Sequence, residues 1–270
     1  MRFIRVFPVY WIVFLLNVIP YIIKQSDYDW VFLIKSFFLI PQNSSPLVIV
    51  AWTLTYEVYF YLIFALFFLN RRFAQFFFIV YMMFVLIYNV LDLGSIMGQH
   101  SSLNFALSPF QLLFGLGMLM AYLNNKYNRF ISVIAKSVLA VGLLLFLSAT
   151  LFELVLTNCG QTYGSPETSF VWRVFYGLPS GLIILGLVNL PTFNFKFSAF
   201  IGAASYSIYL IHNDFITVTF KLIERMGSVK VLTGHIFLLL IMFLVPLICS
   251  MFFYFFVDRR IQVSLRKFLI

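Results

Sequence analysis

Eight stretches of this chain, roughly 6–23, 47–69, 73–91, 105–123, 130–156, 170–190, 198–217 and 231–257, are apolar runs with few charges. A helix needs about 20 such residues to cross a hydrocarbon core about 30 Å thick. In lipid every backbone N–H and C=O must find a partner within its own segment, which continuous apolar runs satisfy only as helices. A β-barrel would show alternation instead. The expected fold is therefore all-α, a polytopic transmembrane helical bundle of about eight spans. Composition agrees, because 63% of the 270 residues are hydrophobic and only 10% are charged, against about a quarter in soluble domains. No Gly- or Ser-rich linker, fixed-period repeat or soluble domain interrupts the pattern, so residues 1–270 read as one membrane-embedded domain. The longest loop lies between Lys24 and Pro46. Its middle, Trp30 to Ile40, is apolar but too short to span and reads as an interfacial or half-embedded segment.

The net charge of +9 reads as topology. Lys and Arg collect in cytoplasmic loops and orient the helices. With the N-terminus inside, twelve of the 18 basic residues fall on the inner face: Arg2, Arg5, Arg71, Arg72, Lys126, Arg129, Lys136, Lys196, Arg259, Arg260, Arg266 and Lys267. Asp27, Asp29, Asp92, Glu153 and Glu167 fall outside or near the outer ends. Both termini come out cytoplasmic, and the basic loop 218–230 is the weak point of the scheme. A nucleic-acid partner is excluded, since no basic soluble domain exists to carry one. Cys159, in an outer loop, and Cys249, in the last span, are too far apart in depth to pair, and neither has metal-ligand spacing. No metal site is expected. Arg2 and Arg5 before an apolar stretch resemble a signal peptide, but no small-residue cleavage site follows, so the segment reads as a retained helix.

Polar residues inside the apolar runs mark the candidate chemistry. Glu57 sits in the middle of the run from Leu47 to Leu69. An ionised carboxylate at bilayer depth costs at least about 2 kcal/mol, so it needs a partner or a task. Thr53, Glu57 and Tyr61 recur at i, i+4 and i+8 and share a helix face, with the rings of Trp52, Tyr56 and Tyr59 close by. Two readings stand: a Glu paired with an Arg to lock helix packing, or a Glu lining a cavity that binds, orients or exchanges protons with a substrate. In the seventh run, Ser205, Tyr209 and His212 form a second stripe at i, i+4 and i+7. His titrates near neutrality and suits general acid–base work. Asn213 and Asp214 follow directly, which reads as a helix end near the outer surface, where His212 could equally be a capping residue. In the sixth run Arg173 precedes Gly177, Pro179 and Gly181. Proline loosens a helix, and the arrangement fits either an anion site or a packing kink. Gly-x-Ser-x-Gly, His-x-x-Glu-His and Gly-x-x-x-x-Gly-Lys patterns are absent, which weighs against hydrolase, metalloprotease and ATP-driven transporter readings.

The segment Trp52-Thr-Leu-Thr-Tyr-Glu-Val-Tyr-Phe-Tyr61 resembles the Trp-Ser/Thr-Leu-x-x-Glu-x-x-Phe-Tyr segment of the membrane-bound acyltransferase 3 family, above all its exopolysaccharide acyltransferase branch. Four more matches follow the family's order. Arg2-Phe-Ile-Arg-Val-Phe-Pro-Val-Tyr-Trp11 resembles its Arg-x-x-Arg-Ile-x-Pro-x-Tyr-Trp helix entry. Phe114-Gly-Leu-Gly-Met118 resembles Phe-x-x-Gly, and Tyr176-Gly-Leu-Pro-Ser180 resembles Gly-Leu-Pro-Ala. Ile201-Gly-Ala-Ala-Ser-Tyr-Ser-Ile-Tyr-Leu-Ile-His212 resembles Leu-Gly-x-x-Ser-Tyr-Ser-Ile-Tyr-Leu-x-His. The resemblance implies an integral enzyme of a bacterial inner membrane. It would move an acyl group, most often acetyl, from acyl-coenzyme A to a hydroxyl of a surface polysaccharide or related glycan, with no bound cofactor.

On this reading Glu57 and His212 are the catalytic candidates. Arg2, Arg5, Trp52, Tyr56, Tyr61, Arg173, Ser205 and Tyr209 are the substrate-binding ones, the guanidinium groups suiting phosphates. The chain departs from the family in two places. The family carries a catalytic His, preceded by Arg or Lys, on a helix ahead of the Arg-x-x-Arg entry at which this chain opens, so an N-terminally truncated chain is expected. Tyr254-Phe-Phe-Val-Asp-Arg259 has Asp258 where the family usually shows Glu. None of His100, His212 and His235 falls at the inner face in this topology, so the chain alone is expected to lack acyl-coenzyme A-dependent transfer. A transporter or flippase for glycans or small polar solutes would use the same intramembrane Glu, Arg and loosened helices, and a non-catalytic scaffold would use them structurally. The topology itself is testable: a reporter fused after Lys267 is expected on the cytoplasmic side, and one placed near Cys159 on the opposite side. An outer-side signal from the Lys267 fusion contradicts eight spans.

Overall fold

The structure, a computed structural model, describes residues 2–24, 29–42, 44–94, 102–158, 170–191, 196–225 and 235–269. His100, Cys159, Asp27, Glu167 and Lys230 lie outside them, and the side chains of Arg2, Lys196, His235 and Arg266 are likewise outside the description. Among the described residues the regular structure is all helical: α1 Arg2–Lys24, α2 Trp30–Phe38, α3 Trp52–Leu69, α4 Arg71–Val90, α5 Ser102–Ala106, α6 Phe110–Lys126, α7 Asn128–Asn158, α8 Phe170–Val188, α9 Lys196–Arg225, α10 His235–Phe253 and α11 Arg259–Leu269. A 3₁₀ turn, Ile49–Ala51, leads into α3, and a π turn, Tyr254–Asp258, joins α10 to α11.

Seven segments among the described residues are long and apolar enough to cross a membrane: Arg5–Ile23, Ile49–Leu69, Arg71–Val90, Leu103–Lys126, Asn128–Asn158, Phe170–Val188 and Leu239–Leu265. The chain is a multi-pass, all-helical membrane protein. The remaining expected run, 198–217, lies within α9, which has the length of a span at 30 residues. Its Ser205, Ser207, His212, Asn213 and Asp214 dilute the apolar content below that of the other seven. Asn213 and Asp214 do not end that helix as the sequence suggested. It continues to Arg225, and the Asp214 carboxylate, instead of capping a helix end, accepts the Asn17 amide of α1 at 3.0 Å.

The chain divides into two compact units, residues 1–55 with 194–270, and residues 56–193, so that the division falls inside α3. In the first unit, α2 folds back on α1. The Asp29 carboxylate caps α2 by accepting the N–H groups of Val31 and Phe32 at 2.9 and 3.1 Å, and Leu39, with φ of 55°, ends it in the left-handed region. Trp11 stacks on Phe37 at 5.2 Å and donates its indole N–H to the Phe37 carbonyl at 3.2 Å. Tyr10, fully buried, donates to the Ser36 carbonyl. The apolar segment expected at the interface is thus a short capped helix fastened to the first span.

α9 runs parallel to α1. The Tyr206 hydroxyl donates to the Val6 carbonyl at 2.8 Å, and eight positions later the Asp214 carboxylate accepts the Asn17 amide at 3.0 Å, eleven positions along α1.

In the second unit the closest packing is between α7 and α8, at two glycines. A Cβ on Gly142 would stand 2.9 Å from the Ile183 backbone nitrogen, and one on Gly186 would stand 2.8 Å from that of Leu139. These positions let two backbones approach, which is how helices associate where lipid supplies no hydrophobic drive between them. A stack of rings, Phe60 on Phe114 at 4.4 Å, joins α3 to α6. Gly186→Ala is expected to cost about 1–3 kcal/mol by overpacking, read as a lowered thermal midpoint in detergent. Gly117→Ala, where a Cβ meets nothing within 4 Å, is expected to leave the midpoint unchanged or slightly raised.

Candidate functional site

His212 lies near the middle of α9, sixteen positions after Lys196 and thirteen before Arg225. Its Nδ1 stands 2.8 Å from the Tyr209 carbonyl and 3.1 Å from the Ile208 carbonyl. Carbonyl oxygens only accept, so Nδ1 carries the proton in the neutral ring and Nε2 keeps its lone pair. Among the described residues no group bonds to Nε2. The ring is thus anchored through Nδ1, with Nε2 on the side away from its own helix backbone.

Around it the first unit assembles polar groups from three elements. The Tyr209 hydroxyl donates to the Val50 carbonyl in the 3₁₀ turn, and Thr53 at the start of α3 bonds to the same hydroxyl. Asp214 accepts from Asn17 of α1. Two of the sequence candidates, Tyr209 and His212, come together here as expected. Ser205 does not join them: it is exposed, and its hydroxyl donates to the Gly202 carbonyl of its own helix at 2.9 Å. Its neighbour Ser207 is fully buried instead and donates to Asp258 at 2.5 Å. Asp258 also accepts the Gln262 amide at 2.5 Å. The π turn, of a kind often found at functional sites, is what turns this carboxylate inward. Arg5 lines a separate cavity of about 300 Å³ with Ala203, Tyr254, Arg259 and Gln262.

The second unit holds the other candidates. Tyr61 donates to Glu57 one helical turn earlier, as the i, i+4 spacing requires. No Lys or Arg pairs with Glu57 among the described residues, so the reading of a Glu locked by an Arg finds no partner there. Tyr56 packs on Phe105 at 4.4 Å and on Phe110 at 4.8 Å. The Arg173 guanidinium lies over the same Phe110 ring, 3.2 Å from its centroid, a close cation–π contact. Phe110 thus links Tyr56 and Arg173, two candidates from different motifs. Arg173 also lines a mainly apolar cavity of about 380 Å³ with Trp172, Tyr176, Ser180 and the two glycines of α8, Gly177 and Gly181. Trp52, the first residue of α3, is more than a third exposed.

Reasoning from sequence missed Asn17, Ser207 and Gln262. Asn17 carried a usable signal, being a strongly polar residue inside an otherwise apolar span. Ser207 carried none, since Ser205 beside it was equally polar and only the packing decides which faces inward.

These features define a multi-pass membrane protein whose spans carry paired carboxylates, an anchored histidine and cationic residues at cavity walls. A family model described as an acyltransferase domain matches residues 1–255, and the chain belongs to the acyltransferase 3 family of membrane acyltransferases. No curated protein and no solved structure matches it.

The Asn17–Asp214 pair tests the geometry. Asn17→Leu leaves the Asp214 carboxylate without its amide donor and is expected to cost about 1–3 kcal/mol, seen as a lower unfolding midpoint. Asn17→Leu with Asp214→Leu is expected to recover most of that loss, because no unsatisfied group remains. Equal loss in the single and double variants would contradict the pairing.

Proposed function

We propose that the chain transfers an acyl group, acetyl in the first instance, from acyl-coenzyme A to a hydroxyl of a surface polysaccharide or related glycan. His212 is the general base. The observation that carries this reading is the anchoring of Nδ1–H on the Tyr209 carbonyl, which leaves Nε2 bare. Nε2 takes the proton of the sugar hydroxyl as its oxygen attacks the thioester carbonyl. The tetrahedral intermediate collapses with cleavage of the C–S bond. The departing thiolate then recovers the proton from the imidazolium, so the base is regenerated and coenzyme A leaves as the thiol. A base held in the right tautomer and orientation is what general-base catalysis asks of the protein.

The mid-helix position of His212 removes part of the objection raised by an outer-end placement. Along α9 it lies about 24 Å from Lys196, a depth that an acyl group on a long flexible arm reaches from the helix start. Glu57, with Tyr61 donating to it, binds or orients a substrate hydroxyl in its own unit. Arg173, Tyr56 and Trp52 are further substrate contacts, and residues 1–270 act as a single domain. The membrane is a bacterial inner membrane, with both termini cytoplasmic. The parallel run of α1 and α9 supports that topology, since two parallel spans require an odd number of crossings between them, and α3, α4, α6, α7 and α8 supply five.

The test is transfer from labelled acetyl-coenzyme A to a panel of glycans by the protein in proteoliposomes. His212→Ala is expected to lower the rate by about 10²–10⁴-fold, and Glu57→Gln to abolish transfer while inserting normally. Undiminished transfer by His212→Ala removes His212 as the base.

A further inference from the structure

α11 leaves the last span through the π turn and carries four Arg or Lys among its eleven residues, with no Asp or Glu. Ile261, Gln262 and Leu265 are half-buried, so one side of the helix faces the protein. The other side is exposed and forms a groove of about 410 Å³ lined by Phe255, Arg259, Arg260, Val263, Ser264 and Lys267. Phe255, Arg259, Val263 and Lys267 recur at every fourth position, and Arg260 and Ser264 form the adjoining row, which is the spacing of neighbours on a helix surface. No carboxylate pairs with Arg259, Arg260 or Lys267 among the described residues. The acid nearest in sequence, Asp258, is fully buried and accepts from Ser207 and Gln262. Like charges gathered on one face repel one another, and an anion among them relieves that repulsion.

The groove is polarised along its length. It starts at the exposed rings of Phe255 and Phe256, in the apolar segment that begins at Leu239. The Arg259 guanidinium lies 5.7 Å from the Phe255 ring and that of Arg260 lies 5.9 Å from the Phe256 ring. From Arg259 to Lys267 the cations then extend over eight positions, or about 12 Å. A soluble anion has no use for the apolar start, whereas a phospholipid runs in the same order, acyl chain first and phosphate next. Basic groups beside a span attract anionic lipid, and guanidinium forks match phosphate oxygens in pairs. We propose that this face of α11 binds the headgroup of an anionic glycerophospholipid in the leaflet where α10 ends. Arg259 and Arg260 hold the phosphate, Ser264 and Lys267 meet the rest of the headgroup, and Phe255 and Phe256 carry the start of the acyl chain. The family match stops at residue 255, so the cations of this face lie beyond it and the proposal stands without the transfer reading.

The experiment titrates the purified full chain in detergent with an equimolar mixture of phosphatidylglycerol and phosphatidylcholine of the same acyl chains. Native mass spectrometry reads the first lipid bound. Phosphatidylglycerol is expected to be preferred about tenfold, and Arg260→Gln with Lys267→Gln to remove most of that preference. Both positions are exposed, so the thermal midpoint of this variant is expected to stay at the wild-type value. Ser264→Asp, which sets a carboxylate among the cations, is a second variant expected to lose the preference. Lys126→Gln with Arg129→Gln removes the same charge at exposed positions elsewhere and is expected to keep it. Glycerophosphoglycerol, the same headgroup without acyl chains, is expected not to displace the lipid. Equal binding of the two lipids by the wild-type chain overturns the proposal, as does an undiminished preference in the α11 variants. Equal loss in the α11 pair and the Lys126 and Arg129 pair overturns it by showing attraction to overall charge. Displacement by glycerophosphoglycerol overturns it in favour of a soluble anion.

Discussion

Within an apolar chain, polar side chains at depth gain most by satisfying one another, and in the first unit one set of them joins α1, α9 and α11. Tyr206 to Val6, Asn17 to Asp214, and Ser207 with Gln262 to Asp258 form this set. Each bond is worth about 1 kcal/mol net, but the cost of leaving any partner alone in hydrocarbon is larger. Such pairs fix register where apolar contacts between helices and lipid are nearly interchangeable. The parallel course of α1 and α9, the inward turn of Asp258 and the placement of His212 all follow from them. With Asp258 committed to Ser207 and Gln262, no carboxylate among the described residues pairs with Arg259 at its cavity wall.

The second unit uses a different device. Gly142 and Gly186 bring α7 and α8 into backbone contact, and rings fill the space between α3, α4 and α6. Its polar groups pair both within a helix, as with Tyr61 and Glu57, and between neighbouring helices, as with Tyr176 and Glu153. Arg173 is held over an aromatic face, which stabilises a cation with little access to water.

Much of this was legible in the sequence. Span length and apolar continuity placed most of the helices to within a few residues, because the bilayer imposes both, but α9 runs eight residues past its expected end at 217. The i, i+4 spacing of Glu57 and Tyr61 foretold their hydrogen bond, since one helical turn brings such side chains together. The family was legible in the motifs around Glu57 and His212. Failures came where distant chain decides a local outcome. Asn213 and Asp214 carry the signature of a helix end, yet α1 supplies Asn17 and the helix continues. Ser205 shares the spacing of Tyr209 and His212, yet it faces outward while Ser207 is buried, a choice made by Asp258 some fifty residues away. The meeting of Arg5 with Arg259 was equally invisible, because no local pattern relates the two ends of a chain.

The central claim is that His212 is anchored through Nδ1 to the carbonyls of its own helix, so that Nε2 is the nitrogen left to meet a substrate. Solid-state ¹⁵N NMR of the histidine-labelled protein in lipid, with the His212 signal assigned by its loss in His212→Gln, reads this directly. The account predicts that in the neutral ring the proton sits on Nδ1 and Nε2 is unprotonated. A signal from the opposite tautomer, with the proton on Nε2, would contradict it.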